Sequence, residues 1–331
     1  MRHALLRRRR LGGSAPDPDP TFITAWETTT DAGSITLPLV STGTYDMVVD
    51  WGDGSSDTIT AHTDAARIHE YATAGAYEVR IEGTCKQWNF QSVSTSKDKI
   101  LDVKNWGNFE VVDGVNAFRD CTNLDVTAAD APDFSGVTSL NSLFRGCPSL
   151  AGGAGFNLWD VSSVTNMFAL FWESSLFNAD ISSWNVSSVT TFYGTFRNTT
   201  FDQDISGWDV SSGTQFAFMF AYSTFNQDIS GWNIQPTDLR WMFLGASNFD
   251  QDLGGWDISQ VNLLNEQTLS GTNLSTDNYD SLLIGWAAQS VQPNLSFGAG
   301  NSTYSSAAAD ARDTLTSAPN NWTITDGGQA P

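Results

Sequence analysis

Apolar and polar positions repeat through the middle of this chain with a step of about two dozen residues. Trp159, Trp184, Trp208, Trp232 and Trp256 follow one another at intervals of 25, 24, 24 and 24. Each sits in a near-copy of one phrase: Leu158-Trp-Asp-Val-Ser, Ile181-Ser-Ser-Trp-Asn-Val-Ser, Ile205-Ser-Gly-Trp-Asp-Val-Ser, Ile229-Ser-Gly-Trp-Asn-Ile and Leu253-Gly-Gly-Trp-Asp-Ile-Ser. A period in this range predicts a solenoid, because one repeat cannot bury its apolar face alone and must stack on its neighbours. A second column is formed by Phe118, Phe144, Phe171, Phe196, Phe220 and Phe243. Around it the apolar residues fall at i, i+3 or i+4, and i+7, as in Val164, Met167, Phe168 and Phe171. That spacing predicts about two turns of helix with one apolar face. The Ile-Ser-x-Trp-x-Val stretch alternates and predicts a short strand. Each coil is therefore expected to hold a strand, a turn and a short helix or 3₁₀ segment. The five tryptophans with Phe171, Phe196, Phe220 and Phe243 are the expected repeat core. A row of sugar-stacking platforms is the competing reading of the tryptophans, disfavoured by the Ile or Val on either side of them.

A different pattern occupies residues 21 to about 92. Alternation in Tyr45-Asp-Met-Val-Val-Asp-Trp and in Ala76-Tyr-Glu-Val-Arg-Ile predicts half-buried strands, with a tight turn at Trp51-Gly-Asp-Gly. The motif residues Trp51, Gly52, Asp53 and Gly54, followed by His69, Tyr71, Gly75, Tyr77 and Val79, resemble the PKD domain, an immunoglobulin-like β-sandwich. The resemblance implies a spacer or binding module of a protein exposed outside cells.

The units Phe201-Asp-Gln-Asp-Ile-Ser-Gly-Trp-Asp-Val-Ser and Phe225-Asn-Gln-Asp-Ile-Ser-Gly-Trp-Asn-Ile are similar to the repeats of BspA-like leucine-rich-repeat surface proteins. Phe118-Arg-Asp-Cys-Thr-Asn-Leu and Phe144-Arg-Gly-Cys-Pro-Ser-Leu resemble the more general leucine-rich form. The stretch from Leu274 through Trp322 resembles the segment that often closes such arrays. Together these give the expected organisation: a leader at 1–20, a PKD-like β-sandwich at 21–92, an α/β leucine-rich-repeat solenoid at 93–270 and a C-terminal cap at 271–331. The BspA-like resemblance implies extracellular adhesion or recognition without a known enzymatic role.

Charge narrows the classes of partner. The net charge is −21, while Arg2, Arg7, Arg8, Arg9 and Arg10 crowd the first ten positions. Nucleic acid is not an expected partner, since phosphate contact needs clustered Lys and Arg. No run of about eighteen apolar residues predicts a membrane-spanning helix. The basic start lacks the apolar stretch of a secretory signal. A disordered tail and a tether to an acidic scaffold are both consistent with it. An outward-facing protein with such a leader fits a virion surface as well as a cell surface.

Candidate chemistry is sparse. His3, His62 and His69 are the only histidines, and no nucleophile elbow, phosphate-binding loop or zinc spacing occurs. Cys85, Cys121 and Cys147 define no disulfide framework. Cys121 and Cys147 occupy matching positions in consecutive coils, as packed thiols or as a bridge. Asp180, Asp204, Asp228 and Asp252 recur at one repeat position. They either cap backbone N–H groups in their own turns or form a row of calcium sites; no other cofactor is implied. The expected function is non-enzymatic recognition of a cell-surface glycan or envelope protein through the repeat array. The alternative is a decoration protein docked on capsid or tail proteins through its N-terminal region, and a carbohydrate-active enzyme is the least favoured reading.

Overall fold

The computed structural model describes residues 19–331. The arginine run of the expected leader lies outside the described residues. The N-terminal part is built from β1 (Phe22–Thr28), β2 (Gly33–Thr36), β3 (Leu39–Asp50), β4 (Ser56–Ile59), β5 (Ile68–Tyr71) and β6 (Gly75–Trp88). The alternation seen in the sequence is realised: Tyr45, Met47 and Val49 of β3 are buried while Asp46, Val48 and Asp50 face solvent. Strand β6 lies antiparallel between β3 and β1, with Val49 opposite Ile81 and Trp26 opposite Tyr77. Next come β7 (Ile100–Asn105), β8 (Phe109–Glu110) and β9 (Asp125–Val126). The main sheet has seven strands in the order β4-β3-β6-β1-β7-β9, with β8 added on β6. Its β7–β9 and β6–β8 pairings are parallel and the others antiparallel. Strands β2 and β5 form a separate antiparallel pair.

Beyond β9 the chain stacks as coils, joined by single parallel bridges that link Ser139, Asn166, Thr191, Gln215, Asp238 and Leu263 in succession. Two sets of backbone bonds hold each coil to the next. Thr165, Thr190, Thr214 and Thr237 each donate N–H to the carbonyl of the corresponding threonine one coil earlier, at 2.8–3.0 Å. In the following segment alternate N–H groups point the other way. Those of Met167, Ala169, Phe171 and Glu173 reach the carbonyls of Thr191, Tyr193, Thr195 and Arg197 at 2.8–3.1 Å, and Phe192, Gly194, Phe196 and Asn198 repeat the pattern one coil on. The intervening N–H groups of Leu170, Trp172 and Ser174 close turns on the carbonyl three residues back.

These findings correct the expected fold class. A β-sandwich followed by an α/β leucine-rich-repeat solenoid with a C-terminal cap is not what forms. One large mixed sheet dominates the first part, and the coils from Val164 to Leu269 contain no helix. The physical reason lies in the backbone. In each coil two residues four apart adopt the left-handed conformation, as in Ala169 and Glu173, Gly194 and Asn198, and Phe218 and Tyr222. A left-handed residue at every fourth position breaks the i→i−4 ladder of a helix. The chain still returns to the same face every four residues. The apolar spacing therefore mimics a helical period without a helix.

The core runs through the whole described chain as one contiguous cluster. Phe22 packs on Phe109 at 4.4 Å between ring centroids, Trp106 on Phe118 at 5.8 Å, and Phe118 on Phe144 at 5.5 Å. From there the phenylalanine column continues through Phe171, Phe196, Phe220 and Phe243 at 5.6–6.1 Å. The far end is covered by α1 (Thr276–Ala287), β10 (Ser296–Gly298), α2 (Ala309–Thr316) and β11 (Thr323–Thr325). Ser275 caps α1 by accepting from Asn278 N–H, and the helix buries Tyr279, Leu282, Leu283 and Trp286.

The tryptophan column gives the first prediction. Trp208 is 4% exposed, stacks on Trp184 at 6.4 Å, and donates its indole N–H to the Ile181 carbonyl. Trp208→Ala removes the ring and one of the two donors to that carbonyl, which keeps only the Trp184 N–H. The expected loss is about 3–5 kcal/mol, read as a shift in the urea midpoint; a midpoint within error of the parent contradicts a core role.

Candidate functional site

The residues singled out in the sequence fall into distinct roles. All five repeat tryptophans are buried, and Trp184, Trp208, Trp232 and Trp256 each donate the indole N–H to a backbone carbonyl of the preceding coil. Trp286 of α1 repeats this toward the Leu253 carbonyl and so carries the column into the C-terminal segment. Trp159, at the start of the row, has no such partner among the described residues. Buried rings whose faces meet one another offer no surface for sugar stacking.

The second motif is drawn together in the N-terminal part. The His69 ring lies on Trp51 at 4.7 Å and its Nε2 is 2.8 Å from an Asp53 carboxylate oxygen. Tyr71 donates its hydroxyl to the Trp51 carbonyl and stacks on Tyr77 at 3.8 Å. Gly52 and Gly54 both have positive φ, and Gly75 opens β6. Bonds from Ser55 and from His69 hold the Asp53 carboxyl down at about 2. The cluster is a brace around one turn.

Asp180, Asp204, Asp228 and Asp252 each accept the N–H of the residue two positions on, from Ser182, Ser206, Ser230 and Gly254. Among the described residues no group of three His, Cys, Asp or Glu side chains is placed to hold a metal ion. The three cysteines are free and buried, and Cys147 donates its thiol to the Phe118 carbonyl. Burial pushes all three thiols up. An open cleft of about 730 Å³ around Asp19, Gly107, Asp130 and Leu158 has its carboxylates engaged. Asp19 accepts from Thr21 N–H, and Asp130 from Trp106 and Gly107 N–H.

A further ladder was not singled out from the sequence. Asn178, Asp202, Asn226 and Asp250 each accept a backbone N–H from the next coil, at Asp202, Asn226, Asp250 and Ser275. Gln203, Gln227 and Gln251 reach back to the same side chains. The recurring Phe-Asp/Asn-Gln-Asp phrase was its signal.

The surface with interaction chemistry lies beside the phenylalanine column. Between Lys104 and Arg312 the sequence holds only four basic residues, all arginine: Arg119, Arg145, Arg197 and Arg240. Arg119, Arg145 and Arg197 directly follow Phe118, Phe144 and Phe196, and Arg240 lies three before Phe243, so all four fall on one side of the stack. There they meet half-buried aromatics. Arg145 and Arg197 approach the Trp172 ring at 4.7 and 4.2 Å, and Arg197 also lies 4.8 Å from Phe218 and 5.8 Å from Tyr222. Phe168 stacks on Tyr193 at 4.7 Å, and Phe218 on Trp241 at 4.6 Å. Tyr222 is half exposed. Arg240 is clasped in a two-bond pair with Asp238, and Arg119 has Asp120 at 3.7 Å. Arg145 and Arg197 have no carboxylate at ion-pair distance among the described residues.

The backbone is adapted to this stripe. Gly194 and Gly245 sit at left-handed positions, and a Cβ there would lie 2.9 Å from the Trp172 ring and 2.5 Å from the Tyr222 ring of the preceding coil. Their bare Cα atoms are the floor on which those rings rest. Phe218, Tyr222 and Trp241 themselves adopt left-handed φ of 57–59°, a conformation that costs a bulky residue roughly 1 kcal/mol or more. The sequence spacing places Phe168 on a helical apolar face, whereas the structure leaves it half-buried beside the stripe. The signal that marks the stripe was the confinement of the basic residues to positions flanking one column.

The chain matches the family described as "Mycoplasma protein of unknown function, DUF285" over residues 112–220 and 194–281, which together span just over half of the sequence. The match is loosely consistent with the BspA-like resemblance of the repeats. No curated protein and no solved structure matches the chain.

The Asp53 brace titrates in a defined direction. Its folded pKa of about 2 lies below the ordinary carboxylate value of about 3.9. Its contribution to stability is thus complete above about pH 3.9 and is lost as the pH falls through about 2. Carbon-detected NMR of the Asp53 carboxyl is expected to give a midpoint near 2; a midpoint near 3.9 contradicts the brace.

Proposed function

We propose, for a chain that belongs to the DUF285 family, a non-enzymatic role in recognition at a cell surface or virion surface, carried by the stacked coils. The observation that supports this reading is the stripe of arginines and aromatics on one side of the stack. Aromatic residues and Arg are the types enriched where proteins bind partners, while Lys, Glu and Asp are depleted. Here they cluster on an otherwise acidic surface, and large rings stand at left-handed positions where other coils carry Gly, Asn or Asp. The rigid coil ladder keeps them in fixed register, so binding pays little to order them. The seven-stranded sheet then serves as the base that presents the stack. Among the described residues no helix is long and apolar enough to cross a membrane.

The test is attachment of the labelled full-length protein to candidate partner cells, with Trp172→Ala and Trp241→Ala compared with the parent. Both rings are partly exposed. Their truncation is expected to weaken attachment by about 10-fold or more, as loss of an aromatic anchor does, while near-ultraviolet circular dichroism confirms a native core. Attachment equal to the parent in both variants contradicts the assignment of recognition to the stack.

A further inference from the structure

The two inner arginines of the stripe are placed in an unusual way. Arg145 belongs to the coil before Trp172 and Arg197 to the coil after it, and both guanidinium groups lie over the same indole. Two positive charges are therefore fixed about one ring, and their distances of 4.7 and 4.2 Å from its centroid hold them within about 9 Å of each other, a little under two coil spacings. Neither has a carboxylate at ion-pair distance among the described residues. The Arg197 Nε and the Trp172 Nε1 are buried without a hydrogen-bond acceptor. A guanidinium held by a ring face keeps its outer N–H fork unspent, and that fork matches a carboxylate in two-bond geometry.

From this arrangement we propose that the Arg145–Trp172–Arg197 sandwich binds a carboxylate-bearing polysaccharide laid along the coil stack. This inference rests on the reading that the stack is the recognition surface. Three features favour such a ligand. First, the chain carries a net charge of −21, so a polyanion is repelled from most of it and admitted where the arginines stand. That is specificity by exclusion as well as attraction. Second, the rings of the stripe turn their faces onto one another along the stack, as Phe168 does on Tyr193 and Phe218 on Trp241. They leave their edges, the positive rim of the aromatic quadrupole, toward solvent. Edges suit oxygen-rich anionic groups, whereas a neutral sugar would need an open ring face.

Third, the spacing fits a sugar chain. A linear polysaccharide advances by about one coil spacing per ring, so carboxylates on alternate rings come into step with Arg145 and Arg197. An extended peptide advances about 3.3 Å per residue and presents same-side groups about 6.6 Å apart, a shorter step than two charges on opposite faces of an indole offer. An acidic protein segment is accordingly the disfavoured class.

The experiment uses the full-length protein and three immobilised polymers in buffer containing a chelator: polygalacturonate, its fully methyl-esterified form and dextran. Polygalacturonate is expected to bind. Esterification, which removes the charge and keeps the chain, is expected to weaken binding by about 10-fold or more, as loss of charge-assisted bonds does, and dextran is expected not to bind. The double variant Arg145→Gln/Arg197→Gln should lose binding by a similar factor, and Arg145→Lys/Arg197→Lys should fall between. Lys86→Gln/Lys104→Gln, which removes two charges elsewhere, should bind within about 2-fold of the parent. Equal binding of the acid and its ester overturns the inference, and does so on the parent protein alone should the glutamine variant fail to fold. Unimpaired polygalacturonate binding by a folded glutamine variant overturns it too. Cell attachment separates this failure from that of the wider reading. If the arginine variants lose attachment but the parent ignores polygalacturonate, the ligand is of another class, an acidic protein foremost, and the recognition surface stands. If stripe variants attach like the parent, the recognition surface itself falls.

Discussion

The structure depends on one repeated interaction: a run of alternate backbone N–H groups in each coil, bonded to carbonyls of the next. Met167, Ala169, Phe171 and Glu173 bond forward to the coil of Thr191–Arg197, and that coil bonds forward in turn. Buried backbone groups must be paired, and here the pairing alternates between bonds to the next coil and tight turns within the coil. The intervening N–H groups close tight turns, which needs two left-handed residues per coil. From that requirement follow the Gly, Asn and Asp at those positions in several coils, and the strain where Phe218, Tyr222 and Trp241 stand instead. The side-chain ladders reinforce the same register. Tryptophan indoles donate backward to carbonyls, and the Asn178–Asp250 row accepts forward-coil N–H groups.

How much of this was legible in the sequence differs from element to element. The period of the stack was legible because Trp159 to Trp256 and Phe118 to Phe243 must recur to build continuous columns. The alternation of Tyr45 to Asp50 was legible because a strand with one buried face leaves a period of two. The inner form of the coil was not. An apolar residue every third or fourth position is what both a helix and a chain of turns with a left-handed residue at every fourth step produce. Only the backbone conformation separates them. Glycine, serine and asparagine at those positions were the available hint, but Ala169, Glu173 and Trp241 occupy them as well and obscure it.

The candidate surface was hidden for a related reason. Phe168 reads as core in a helical frame, because its spacing from Val164, Met167 and Phe171 places it on an apolar face. In the turn-built coil it is half-buried and stacks on Tyr193, beside the stripe where Arg145 and Arg197 lie over Trp172 and Arg240 over Trp241. Charge carried the more reliable signal. In a strongly acidic stretch every basic residue falls beside the same column, which packing alone does not demand. The rigid ladder then turns a sequence coincidence into a surface: rings and guanidinium groups from successive coils are held at coil spacing with little freedom left to lose on binding.

The central claim is that this stripe is the recognition surface. Hydroxyl-radical footprinting of the full-length protein, free and bound to its partner cells, tests it most directly. The account predicts that labelling of Trp172, Tyr193, Tyr222 and Trp241 falls on binding, while the exposed Val48, Ile68 and Leu158 keep theirs. Unchanged labelling of the four aromatics, with protection at Val48 and Ile68 instead, would place recognition on the N-terminal sheet and leave the stack as architecture.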